Sequence, residues 1–593
     1  MKKRVIASLL CMAMGLSLVA CGGSDTTTST DTTTDTAATE EKAEEPAETT
    51  AAEETAAADT EAEGEEFVLD VAIGQGGTPN FDPMKSNGML DYFQQMHYNE
   101  GLMMYGPGGD TQAGTNPDAK IAVLQCAQAE SYEYDEATYT YTFHLRDDIY
   151  WSDGEPVEAE DFVYGLRRLV DPEVAAGAAA LFNNQIKNWS QAYNGEVAPE
   201  EIGVSAPDAK TVVIELECEV PYFLSQLAHY NTFPQRQDIV EANAEWGLDY
   251  TAGVTNGAYK IVEVNPDVSV TMVKNENYYN YDALGPDKIV WHITSNETTL
   301  LASYESGDWD YVTGTPAAQR ETLVASGDLF SAPSLGYKFY YINVENTPDW
   351  RVRAAYTLAI DRENLVANVS KDGASPATGL IPPGMTTSDG TTEWQEYSGE
   401  TMWWWLQENY PDYDLSDYVG RCELAQALYA EAVADGFDTT TSPSMMYQNN
   451  EQNKLLGEAV QADLLNVLGV NLVLNGTDSL DWESDFTFGR LQFGADYDDQ
   501  CTFLNNLGTY GMFELAGWSN PEYDELVKQA RSMPYSAERD EIMLEAERLL
   551  FAEDGFGHTP LYYSVYNYCV NGVTNLYYAP VCGAVDFRFA EQK

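Results

Sequence analysis

The sequence predicts an α/β protein built of more than one domain, and three observations predict it. Apolar runs with the period of a strand and runs with the period of a helix alternate along the chain. About 527 residues follow the polar N-terminal stretch, more than a single hydrophobic core holds. No self-similarity at periods of about 20–50 residues marks a solenoid or a propeller.

The elements follow in order. Met1-Lys2-Lys3-Arg4 precedes an apolar run, Val5 to Ala20, of signal-peptide length and too short for a membrane span. The run ends in "LVAC" (18–21). Residues 24–66 are almost only Thr, Ala, Asp, Glu and Ser, which bury too little to offset their conformational entropy and predict a self-repelling stalk. "EEFVLDVAIGQGG" (65–77) reads as a strand broken by glycines, and "TYTYTFHLRDD" (138–148) alternates with period two, as a strand does. "EAEDFVYGLRRLVDP" (158–172) predicts an amphipathic helix stopped at Asp171-Pro172. "TVVIELEC" (211–218), "IVWHIT" (289–294) and "KFYYINV" (338–344) read as strands, and "AYKIVEVNPDVSVTMVKN" (258–275) as a hairpin turning at Asn265-Pro266-Asp267. "RVRAAYTLAIDRENLVANVS" (351–370) is helical with Asp361 as an internal cap. "NKLLGEAVQADLLNVLGVNLVL" (453–474) predicts a helix, a stop at Gly469 and a strand. "SNPEYDELVKQA" (519–530) starts a helix with Asn520 as cap and Pro521 in the first turn.

The chain carries 30 basic and 96 acidic residues. Without the leader's three basic residues, and the stalk's Lys42 and fifteen acids, the body keeps 26 basic against 81 acidic. Phosphate backbones need Lys and Arg, so this balance argues against nucleic acid and against an anionic membrane surface. Beyond Cys11 and Cys21 there are six cysteines, Cys126, Cys218, Cys422, Cys501, Cys569 and Cys582; export permits disulfides, and six cysteines allow fifteen pairings. There is no CxxC, no HExxH, no Gly-x-Ser-x-Gly elbow and no GxxxxGK[ST] phosphate loop. No enzyme, metal site or cofactor is expected.

"FGADYDD" (493–499) places Asp496, Asp498 and Asp499 behind an aromatic run in a chain poor in cations. A carboxylate there either faces water, caps a turn, or awaits a positive charge from outside the protein.

Six segments in register carry a family resemblance: "YTFHLRDDIYWSDGEPVEAEDFVYGLRRLVDP" (141–172), "VTNGAYKIVEVNPDVSVTMVKNENYY" (254–279), "YYINVENTPDWRVRAAYTLAIDRENLVANV" (340–369), "FGADYDD" (493–499), "GWSNPEYDELVKQAR" (517–531) and "TPLYYSVYNY" (559–568). Together they resemble the extracytoplasmic solute-binding proteins of peptide ABC importers, the oligopeptide- and dipeptide-binding family, over essentially all of 67–593. The resemblance implies a two-lobed periplasmic-binding-protein clamshell with an additional third domain. Lobe I is expected at 67–84, 211–315 and 557–593, the extra domain at 85–210 and lobe II at 316–556. "LVAC" resembles a lipobox, so 1–20 is expected to be a lipoprotein signal, Cys21 the lipidated first residue and 21–66 the stalk. The implied protein is a monomer tethered by lipid to the outer side of the cytoplasmic membrane, or periplasmic. It captures peptides by hinge closure and delivers them to an ABC permease with separate ATPase subunits.

In such peptide binders the aspartate of the "ADY" motif pairs with the ligand's α-ammonium, which makes Asp496 the ammonium receptor here. Arg490, six residues earlier, matches a position from which some members reach the ligand carboxylate; an internal salt bridge is the competing role. The peptide backbone is expected against "GGTPNFDP" (76–83), with Thr78 its candidate, and against Phe493, Gly494 and Ala495, in the manner of an added strand. Trp482 matches a pocket-lining aromatic of the family; a Trp is otherwise core. Trp403, Trp404 and Trp405 cannot share one face; they form either a hydrophobic plug or a stacking platform, with Trp404 the candidate. Asp498 and Asp499 are expected in solvent. A rival solute is an oligosaccharide or another small molecule, which has no need of Asp496.

Overall fold

The computed structural model describes residues 66–593 apart from 87, 244, 478–479, 483 and 510–515. The leader, Cys21 and nearly all of the stalk lie outside the described residues. Among those described, no helix is long and apolar enough to cross a membrane.

A short strand, β1 (Val68–Ala72), opens the fold. A four-stranded antiparallel sheet follows, made of β2 (Ala129–Asp135), β3 (Thr140–Leu145), β4 (Val204–Asp208) and β5 (Thr211–Glu215) in the order β2-β3-β5-β4. The helix Ala159–Val170 buries Phe162, Val163, Leu166 and Leu169 with this sheet. The expected boundary at 210/211 therefore falls inside a sheet. Val212 and Ile214 of β5 alternate inward and pair with β3, so residues 211–215, given to lobe I, belong with the sheet of the extra domain.

The remaining labelled strands are β6 (Tyr259–Asn265), β7 (Ser269–Lys274), β8 (Lys288–His292), β9 (Tyr311–Thr313), β10 (Leu329–Ile342), β11 (Ser444–Gln448), β12 (Val473–Thr477), β13 (Phe488–Gly494) and β14 (His558–Val570). With β1 they form one large sheet in the order β12-β11-β13-β10-β14-β9-β1-β8-β7-β6, and Ser375–Pro376 adds to β14. The two long strands β10 and β14 join its two halves. Their first pairing runs from Leu329↔Cys569 to Pro333↔Val565; register then breaks and resumes at Tyr337↔Tyr563. The break divides β10 into a part that pairs only with β14 and a part that pairs with both β14 and β13. The strand expected at 338–344 is thus only the second half of β10.

Local signals place the helices as read. Asn520 accepts from the N–H groups of Glu522 and Tyr523 and starts the helix Pro521–Arg531. Asp361 accepts from the Asn364 N–H, after the helix Trp350–Ala359 has ended. Gly469, at φ +69°, ends the helix Glu451–Leu468 in the left-handed conformation that Gly adopts without strain. Asp267, at φ +58°, turns the β6–β7 hairpin. The described cysteines Cys126, Cys218, Cys422, Cys501 and Cys569 are free thiols.

Candidate functional site

Strands β11, β12 and β13 are parallel, and β10 runs antiparallel to β13. In open sheets of this kind ligands bind at the carboxyl ends of the parallel strands. At the end of β13 lies the "FGADYDD" turn. Its Tyr497 stacks on Tyr222, from the segment just after the four-stranded sheet, with centroids 4.5 Å apart and planes 11° apart. Arg531 makes a second bridge, donating to the Asn183 carbonyl at 2.9 Å and to Asn505 Oδ1 at 2.9 Å. The turn therefore lies where the smaller unit meets the large sheet.

Asp496 is half-buried there. Its N–H donates to Thr502 Oγ1 at 3.1 Å, which fixes the turn. Among the described residues no ion pair reaches its carboxylate, and burial alone pushes its pKa up to about 7. Asp498 is exposed, yet the protein around it and the Asp499 charge push it up to about 6. Asp499 departs from the solvated role expected of it: it is buried, ion-paired with the buried Arg539 at 2.7 Å, and accepts from the Cys501 N–H at 2.9 Å. Three aspartates of one run thus have three environments, decided by a partner forty positions away.

Arg490 is 7% exposed on β13, opposite Tyr340 of β10. Burial pulls its guanidinium below the usual arginine value, partly offset by Tyr562 and Tyr340 beside it. The internal salt bridge weighed for it is absent among the described residues. Its Nε, Tyr340 Oη and Tyr562 Oη are all buried without a hydrogen-bond partner of acceptable geometry. A guanidinium with two tyrosine hydroxyls beside it and no carboxylate partner among the described residues offers its donors to an anionic acceptor.

The other expected residues divide. The Ala495 N–H donates to the Leu335 carbonyl at 2.7 Å, and alternate residues of an antiparallel pair face the same neighbour. Phe493 and Ala495 therefore direct their main-chain groups to β10, while Gly494 directs its own to the opposite edge, which β11 pairs only through Phe488 and Gly489. The Phe493 ring turns to the other sheet face and meets Phe503 edge-on at 5.5 Å. Trp482 also lies on that far face, against Tyr341 and Phe486, where a Cβ on Gly489 would stand 2.5 Å from its ring. It does not share a pocket with Arg490. The Thr78 N–H and hydroxyl both reach Asp267 Oδ1, at 3.1 and 3.2 Å, tying the first loop to the β6–β7 hairpin. On the helix Thr401–Asn409, Trp404 lies under the Arg548 guanidinium at 4.4 Å, Trp403 is buried against Arg362 and Arg421, and Trp405 meets Trp350 edge-on at 5.2 Å. Each ring has an intramolecular partner, as a plug requires.

The sequence reading missed Tyr222, Arg531, Lys338, Tyr340 and Tyr562. Lys338 alone had a visible signal, a lone cation inside an aromatic strand of an acidic chain.

Against known proteins, residues 124–513 match the model of bacterial extracellular solute-binding proteins, family 5 (middle). The dipeptide-binding protein DppE of Bacillus subtilis is 29% identical over 478 residues, 79% of this chain and 83% of that one. The probable deoxycholate-binding periplasmic protein YgiS of Escherichia coli is 28% identical over 457 residues, covering 74% and 80%. The crystal structure of Haemophilus influenzae OppA in complex with RPPGFSPFR superposes with a TM-score of 0.73 at 25% identity, covering 89% of this chain and 99% of that one.

Proposed function

The chain belongs to the bacterial extracellular solute-binding proteins, family 5, and from that premise we propose that it captures peptides between its lobes and delivers them to an ABC-type permease with separate ATPase subunits. One observation carries the reading. A carboxylate, Asp496, and a buried guanidinium, Arg490, neither ion-paired among the described residues, stand six residues apart on one strand and turn, with the open edge at Gly494 between them. A peptide supplies the complement to all three: an ammonium, a carboxylate and a main chain able to add as a strand. The role is that of a receptor, not a catalyst.

The name of YgiS favours a second reading, an acidic non-peptide solute, which would use Arg490 and leave Asp496 idle. Titration calorimetry with a peptide and its desamino analogue separates the two. Breaking a buried pair costs about 3–5 kcal/mol, so Asp496→Ala and the desamino peptide should each weaken binding by roughly two to four decades. Combined, the two changes should not add, because both remove one interaction. Shifts below about threefold for both would leave Asp496 a turn residue and favour the second reading.

"LVAC" and the acidic segment behind it support a lipid anchor at Cys21. Cys21→Ser should move the protein from the membrane fraction to the soluble one. Equal membrane retention of both, with no fatty-acid label in the wild type, would exclude the anchor.

A further inference from the structure

Lys338 stands on the same sheet face as Arg490. In β10 it lies opposite Gln492 of β13 and Tyr562 of β14, while Tyr340 lies opposite Arg490; residues directly opposite across paired strands share a face. The Lys338 ammonium is 5.0 Å above the Tyr562 ring, and Tyr562 also flanks Arg490. Two cations therefore bracket one tyrosine. Among the described residues neither has a carboxylate within ion-pair distance, although acids outnumber cations and most described lysines sit on one. The ring positions the Lys338 ammonium but does not neutralise it. Leaving two like charges together is unfavourable unless something anionic joins them.

Resting on the peptide reading above, we propose that Lys338 binds a second ligand carboxylate, so that the site selects peptides with an Asp or Glu side chain at or next to the C-terminal residue. Arg490 takes the terminal carboxylate and Lys338 the side-chain one, each through a charge-assisted hydrogen bond. One free carboxylate satisfies only one of the two cations.

The test compares peptides of one length carrying Glu or Gln at the last or the penultimate position, on wild type, Lys338→Met and Lys338→Arg. Met keeps the apolar stem over Tyr562 and removes the charge; Arg keeps the charge. Wild type should prefer Glu over Gln about ten- to a hundredfold in Kd at one of the two positions, Lys338→Arg should keep most of that preference, and Lys338→Met should bring it within about threefold of unity. Matching unfolding midpoints of the variants will show that the fold is intact. Gln peptides that bind wild type as well as Glu peptides would overturn the inference while leaving the peptide reading standing. So would a Glu preference that persists in Lys338→Met. A loss in Lys338→Met confined to shorter peptides, whatever their side chains, would make Lys338 a holder of the terminal carboxylate and overturn the inference as well. Failure of every peptide to bind wild type would end both readings.

Discussion

Asp496 shows how one side chain couples the fold to pH. Its free carboxyl is pushed up to about 7, well above an ordinary aspartate, because burial disfavours the charge and no cation among the described residues compensates it. A bound ammonium reverses that balance and holds the group ionised. Ligand binding below about pH 7 must therefore expel a proton, and affinity should rise as pH climbs from 5 to 7. Above about pH 7.7–8.0 the peptide's own amine deprotonates and affinity should fall again. Calorimetry in buffers of different ionisation enthalpy should show proton release at pH 6 in wild type and none in Asp496→Asn, whose acidic limb should be flat. The sign matters for stability too. The folded form keeps a proton that the unfolded chain has already lost, so this group's contribution to the stability of the free protein declines as pH rises from about 4 to 7. The family resemblance singled out Asp496 in "ADYDD", but the burial and ion pair of Asp499 were not legible there: the three letters are identical, and Arg539 lies forty positions on.

At the scale of elements, the contact between Tyr222 and Tyr497 joins the smaller unit to the site. Tyr497 follows Asp496 directly, so the stack sits next to the residue proposed to receive the ammonium. Such a pair is worth about 0.5–1.5 kcal/mol beyond its buried area. Tyr222→Leu keeps apolar bulk and removes the stack, so peptide should leave roughly two- to tenfold faster in stopped-flow measurements, with the association rate little changed. An unchanged dissociation rate would reduce the stack to ordinary packing. Elements whose signals are local were read correctly: the caps Asn520 and Asp361, the Gly469 stop and the turn at Asp267 each act within four residues of their own position. The first half of β10 was not read, because Pro333, Ser334 and Gly336 look like a loop; Pro333 pairs with Val565 of β14 and Gly336 with Gly494 of β13, both far along the chain. Strand β5 was read as a strand but placed in the wrong unit, since its pairing with β3 is not written in its alternation.

The whole molecule is a large sheet in two halves joined by β10 and β14, whose pairing has a register break, with the smaller four-stranded unit set against it. A hinge needs few residues and little broken packing, and two crossing strands with an interrupted ladder supply that. The structure has the smaller unit seated on the site-bearing half, with Tyr222 on Tyr497 and Arg531 on Asn183. Among the described residues that arrangement leaves Asp496, Arg490 and Lys338 without counter-charges, an electrostatic cost that a ligand removes and that opening to water also removes. The free protein should therefore sit more open than the complex. Small-angle scattering of residues 66–593 should give a smaller radius of gyration with saturating peptide than without. If stranded charge is what opens the free form, the double variant Asp496→Asn, Arg490→Met should scatter like a more closed molecule even without ligand, although it binds peptide poorly. A double variant as open as wild type would place the opening force elsewhere, in the hinge strands themselves.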